Sequence, residues 1–412
     1  MKARMRLIWE TLRASYWFLP SLMSILAIVF SFVTLWLDET IRYKILQEQG
    51  WVYSGGPQGA RAVLATIAGS IITVAGTTFS ITIAVLSMAS AQFGPRLLRN
   101  FMRDRGNQIV LGAFVATFLY CLLVLRTVRG TDQDTYVPHL SVTIGVLLAI
   151  GSLSALIFFI HHVAESIQVS NMIGKVGEEL DDSVRRLFPA AIGDEADPVS
   201  LPQEEPQTIA AKSSGYIQDV DEDTLLSVAK RAGAILRLKA RPGDYLIAGM
   251  PVAEMWTIGT IKEDDQASIR DSFSVGLQRT PYQDAECAFL QLVELAVRAL
   301  SPGINDPFTA VMCIDRISSA FCLLADRSLP SPDRRDEEGR VRVVAQPYRY
   351  DQLVHSAFSQ IIENGKSHTV IVERLLRQLD VILSRTNNVE FRSALEHEKE
   401  QLPGGMPTVL SQ

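Results

Sequence analysis

The sequence predicts a membrane α-helical protein of four transmembrane helices, followed by an aqueous α+β region with a small β-rich subdomain and a helical subdomain. Three observations predict it. Four long apolar stretches fall before residue 161. Charge divides with them: residues 1–162 carry 13 Lys+Arg and 7 Asp+Glu, the remainder 26 and 38, so a front of +6 precedes a back of −12. A Pro- and acid-rich stretch then interrupts the second part. The 412-residue chain has room for two or three domains, and its acidic back half argues against nucleic acid as a partner.

The first span runs from Trp17 to Leu37. Trp17 and Trp36 stand about 28 Å apart on a helix, close to the ~30 Å of a hydrocarbon core. The run is too long for the core of a cleavable signal, and LWLDETI offers no small-x-small cleavage site. The second span is expected near 60–93, the third at Ile109 to Leu125, and the fourth at Leu140 to Ile160; none holds an acidic residue, which disfavours carboxylate-based proton coupling.

The second span has an unusual face. Thr66, Ser70, Thr73, Thr77, Ser80, Ala84 and Ser87 alternate at spacings of four and three, which makes one continuous line on a helix, small throughout and mostly polar. Small residues let helices pack closely. Alternatively, several copies gather these helices around an axis, and the hydroxyls line a water-filled path.

Basic residues set the expected topology. Lys2, Arg4, Arg6 and Arg13 precede the first span, and Arg96, Arg99, Arg103 and Arg105 follow the second. Positive-inside bias puts both termini in the cytoplasm. Arg96, Arg99 and Arg103 share one helical face, as an anchor for anionic lipid or as a basic collar at a pore mouth that draws anions. Cys121, Cys287, Cys313 and Cys322 form no C-x-x-C motif and read as buried, reduced residues. His161 and His162, the only close histidine pair, diverge by about 100° on a helix, so no metal or cofactor site is expected.

The chain divides into a membrane domain at 1–165, a helical extension of span four at 166–188, an acidic flexible linker at 189–212 and a β-rich subdomain at 213–262. A helical subdomain follows at 263–402, with a disordered tail at 403–412. In the β-rich part, Arg241-Pro242-Gly243-Asp244 and the apolar residues around it look like half of a barrel-sandwich hybrid. That resemblance is to fold, because no lysine stands at the turn where a lipoyl carrier needs one. Thr280-Pro281-Tyr282-Gln283 reads as a capping box opening a helix, Asp306 as the N-cap of the next, residues 326–350 as a loop and 351–400 as a helical hairpin.

ASAQFGPRLLRNFMRDRGNQIVLGAFVATFLYCLLVLR (89–126) and RALSPGINDPFTAVMCIDRI (298–317) resemble an uncharacterised bacterial membrane-protein family, domain of unknown function 2254. The resemblance covers the chain from the first span to about residue 400. It implies a multi-pass protein of the bacterial inner membrane with a cytoplasmic C-terminal region, and brings no substrate. Arg279, Asp284, Asn305, Asp306 and Thr309 are the candidates for a cytoplasmic ligand site; helix capping is the plainer account, since no nucleophile–base pair, phosphate loop or metal set accompanies them. The residues thus predict no enzyme but an oligomeric, anion-preferring channel in the lipid bilayer, modulated by its cytoplasmic domain. The alternative is a non-conducting scaffold or sensor whose cytoplasmic domain binds a partner or small ligand.

Overall fold

The computed structural model describes residues 17–40, 53–93, 105–131, 134–166, 168–189, 202–257 and 261–404. The chain forms two compact units, divided between Gln168 and Val169.

The first unit holds four long helices, α1 (Phe18–Thr40), α2 (Pro57–Phe93), α3 (Arg105–Thr127) and α4 (His139–Ser166), with a hairpin of β1 (Arg129–Thr131) and β2 (Asp134–Tyr136) before α4. Prolines mark three of the helix starts, Pro20, Pro57 and Pro138, where a missing N–H removes no intrahelical bond. Helix α3 packs against the other three and is the most buried. Two apolar layers hold it: Leu64 and Val142 around Tyr120, Cys121 and Val124, then Ile71, Phe159 and Val163 around Val110 and Phe114. Gly112 permits the close approach of α1, since a Cβ there would meet the Pro20 Cα at 3.2 Å.

The second unit begins with α5 (Val169–Leu187). Spacing alone predicts that span four runs on as one helix; instead α4 ends at Ser166 and α5 starts afresh. The two helices answer to different surroundings. Helix α4 is apolar almost all round, whereas α5 is sharply two-faced and buries Ile173, Val176, Leu180 and Val184 within its own unit.

Next come β3 (Gln207–Ala210), β4 (Gly215–Val220), α6 (Glu222–Arg231), β5 (Ile235–Leu238), β6 (Tyr245–Leu246), β7 (Pro251–Trp256), α7 (Glu263–Asp271) and β8 (Phe273–Gly276). Later in the chain follow α8 (Ala285–Ala299), α9 (Pro307–Ala325), β9 (Asp333–Arg335), β10 (Val341–Val344), α10 (Tyr350–Gly365), α11 (Thr369–Arg385) and α12 (Val389–Glu400). Strands β3-β7-β5-β10-β9 form one sheet, in which β5 and β10 run parallel, and β6-β4-β8 form another. Both enclose one core that includes Ile217, Leu236, Met255, Phe273 and Val343, with α6 and α7 adding Leu225, Val228 and Ile269.

The β-rich part is therefore wider than the expected 213–262. Strand β3 lies in the stretch read as acidic linker, of which 190–201 is outside the described residues, and β9 and β10 lie in the stretch read as loop. The expected hairpin at 351–400 is three helices, α10 to α12. Residues 405–412 of the expected tail are also outside the described set.

Helix α9 is the centre of the helical part, packed by α5, α8 and α11. Phe321 on α9 stacks with Phe289 at 4.6 Å and Phe358 at 5.4 Å. Among the described residues five helices are long and apolar enough to cross a membrane, one more than the four read from sequence; they are α1 to α4 and α9.

Candidate functional site

Helix α2 carries two lines of residues on opposite sides. Ala60, Leu64, Ala68, Ile71, Ala75, Thr78 and Thr82 are buried against the bundle. Thr66, Ser70, Thr73, Thr77, Ser80, Ala84 and Ser87 are all exposed. Most members of the second line stand two residues beyond a member of the first, which is about 200° around a helix. The hydroxyl line thus faces away from the described helices of its own bundle. Packing among the described residues of one bundle does not account for it.

Four of these hydroxyls are satisfied locally. Ser70 Oγ donates to the Thr66 carbonyl at 2.8 Å, Thr73 to Gly69 at 2.9 Å, Thr77 to Thr73 at 3.1 Å and Ser80 to Gly76 at 3.0 Å. Bonding back to the preceding turn spends the proton and leaves oxygen lone pairs on the surface. At these four positions the face can therefore meet lipid, another helix or water without an orphaned donor. Arg96, Arg99 and Arg103, the expected collar, lie outside the described residues.

A second polar set, unexpected from sequence, crosses the bundle interior. Asp38 belongs to the last turn of α1 and is buried, so an acidic residue does lie within a membrane-type helix. Its Oδ1 accepts from the Leu140 N–H at 3.0 Å, and its Oδ2 accepts from the Ser141 N–H at 2.9 Å and from the Ser141 hydroxyl. Asp38 is the N-cap of α4 supplied from another helix, placing negative charge at the positive end of the α4 dipole. Tyr120 on α3 completes the link: its hydroxyl lies 3.0 Å from Thr34 Oγ1 and donates to the Ser141 carbonyl at 3.1 Å. Thr117 and Ser152 pair at 2.9 Å between α3 and α4.

In the second unit, Arg279 and Asp284 come together. Arg279 Nε donates to Asp284 Oδ2 at 2.6 Å and Nη2 to Oδ1 at 2.8 Å, while Nη2 also reaches Glu286 at 3.4 Å. Burial would lower the Arg279 pKa, but the Asp284 hydrogen bonds and the Asp284 and Glu286 charges outweigh it and hold it above its ordinary value. Arg241 bonds the other Glu286 oxygen, and its guanidinium lies over the Tyr348 ring at 5.1 Å. Burial pushes the Tyr348 phenol up to about 12, so it stays neutral and donates to the Gln283 carbonyl at 2.7 Å. The expected turn at Gly243 docks here: its φ is +98°, and a Cβ would fall 2.4 Å from Asp284 Oδ2.

The capping box expected at Thr280 to Gln283 does not form. Helix α8 starts at Ala285 with Asp284 as N-cap, accepting from the Cys287 N–H at 3.0 Å. Gln283 is drawn away to strand β4, where it bonds both the N–H and the carbonyl of Val220. Asp306 does cap α9, accepting from the Thr309 N–H at 3.2 Å and the Thr309 hydroxyl at 2.6 Å. Asn305 enters that turn with a left-handed φ of +50°. Asn305, Asp306 and Thr309 therefore sit beyond the C-terminal end of α8 and Arg279 and Asp284 at its N-terminal end, about 22 Å apart along 15 residues of helix. The five do not form one site.

The helices of the first unit, apolar on their outer faces and bonded internally through Asp38 and Tyr120, define a multi-pass membrane protein. The chain belongs to the family described as predicted membrane protein, domain of unknown function 2254, whose profile matches residues 13–380. It is 34% identical over 355 residues to uncharacterised proteins of Mycobacterium bovis and Mycobacterium tuberculosis strain H37Rv, covering 84% of this chain and 68% of each relative. No solved structure matches it.

Proposed function

We propose that the protein is an oligomeric ion channel of the bacterial inner membrane, with α2 from each copy around the path and the second unit in the cytoplasm modulating it. The observation that carries this reading is the exposed hydroxyl line of α2, which none of the described residues of its own protomer covers. On this reading four helices cross, α1 to α4. Helix α9, though apolar enough, pairs Asp315 with Arg374 at 2.6 Å mid-helix and is surrounded by helices of its own unit, which fits an aqueous core better than lipid. No catalytic step is assigned. The anion preference rests on Arg96, Arg99 and Arg103; the back-bonded hydroxyls offer acceptors, which suit cations or water. A scaffold reading draws on the same back-bonds, since satisfied small residues also pack well between copies.

The test is disulfide cross-linking in membranes, in protein otherwise free of cysteine. Thr77→Cys should link copies, whereas Ile157→Cys on the exposed face of α4 should not. Linking at Ile157 alone would remove α2 from the axis. In the same background, Gly55→Cys should react with an impermeant thiol reagent from outside intact cells; reaction only after lysis would reverse the topology.

A further inference from the structure

The second unit contains a cavity of about 230 Å³ between the end of α5, the turn at Pro242 and the proline-flanked stretch before β9. Arg186, Arg241 and Arg334 wall it, with Glu222, Ser331 and Gln346. The three arginines are not equivalent. Arg334 is neutralised by both oxygens of Glu222, and Arg241 by Glu286. Arg186 instead spends Nε on the Tyr282 carbonyl at 3.1 Å and Nη2 on the Pro281 carbonyl at 3.1 Å and the Ser183 hydroxyl at 3.2 Å. All three acceptors are uncharged. Its guanidinium also lies 5.4 Å from the Tyr282 ring centre. Arg186 is thus held in place while its charge lacks a carboxylate partner among the described residues. Its Nη1 and the Nε of Arg241 donate to no partner among the described residues, so two fixed guanidinium groups retain spare donors at the cavity.

We propose that this cavity binds a small phosphate-bearing anion. Fixed guanidinium donors with spare N–H groups match phosphate oxygens in geometry and charge. The volume corresponds to about eight waters at ~30 Å³ each, below the ~300 Å³ at which drug-sized ligand pockets begin. A phosphate or pyrophosphate group fits within it, and any larger moiety extends out through the open side. The site lies in an otherwise acidic half of the chain, so it discriminates by local arginine placement and not by a general positive field. Binding here stands whether or not the protein conducts.

The experiment is calorimetric titration of the full-length protein in detergent with inorganic pyrophosphate and, separately, glycerol 3-phosphate. Wild type should bind one of them, more weakly as salt rises. Preference for pyrophosphate marks a free small anion as the ligand, and preference for glycerol phosphate marks a lipid-type headgroup. Arg186→Gln should weaken binding about tenfold or more. Ser331→Asp, which keeps the side-chain acceptor that Ser331 offers the Asp333 N–H and adds a negative charge to the wall, should do the same at an unchanged melting temperature. No heat and no thermal shift from wild type at millimolar anion would overturn the site. So would binding that both variants leave intact.

Discussion

The first unit satisfies its polar groups in two ways that differ in reach. On the outer face of α2, Ser70, Thr73, Thr77 and Ser80 bond only the preceding turn of their own helix. In the interior, Asp38, Thr34, Tyr120 and Ser141 bond between three helices. The first arrangement ties nothing together and leaves a small, smooth face available to a surface outside the protomer. The second has no alternative partners in an apolar medium, so it fixes helix register. Polar groups that bind across elements carry the architecture, and those that bind within one helix are free for function.

That contrast orders the expected effects of substitution. Asp38→Ala should cost most, about 2–3 kcal/mol, because it strips a charged acceptor from two α4 N–H groups and from Ser141. The check is thermal melting in detergent, in which Asp38→Asn should recover part of the loss; a silent Asp38→Ala would remove the cross-helix cap from the account. Asp306→Ala removes a cap confined to one turn and should cost about 1 kcal/mol. Hydrogen exchange should then rise at the first turn of α9; protection unchanged there would deny the cap its role. Thr77→Leu should change protomer stability least, by no more than about 0.5 kcal/mol, since Thr77 is exposed among the described residues and bonds back to Thr73 on its own helix. A large drop in melting temperature would mean that the face is already occupied by structure.

The same contrast separates what the sequence disclosed from what it hid. Local signals read well: Asp306 caps Thr309 three residues on, and the hydroxyl line of α2 is a true line. Which line of α2 faces protein was not legible, because Ala60 to Thr82 repeats the same spacing on the opposite side. Asp38 escaped notice because its partners, Leu140 and Ser141, lie about a hundred residues away. Gln283 suited a capping box by spacing, yet a free strand backbone at Val220 competed for it. Strand β10 was hidden among arginines, with Val341 and Val343 alone marking its buried face. Helix α9 is not read as a span from sequence, although it is long and apolar enough for one; packed by α5, α8 and α11, it shows that apolarity alone does not separate a span from a helix enclosed by other helices.

The proposed channel sets the outward hydroxyl face of α2 along the conducting path. It is tested by recording from purified protein in planar bilayers. Folded wild type should show discrete currents, and Thr77→Leu, which places a bulky apolar group near mid-membrane, should reduce unit conductance while oligomer size and melting temperature hold. Replacing Arg99 and Arg103 by Gln should move the reversal potential towards cations if the collar contributes selectivity. Persistent silence from folded, oligomeric wild type across voltage and with pyrophosphate present would contradict the channel and leave α2 as an interface between copies.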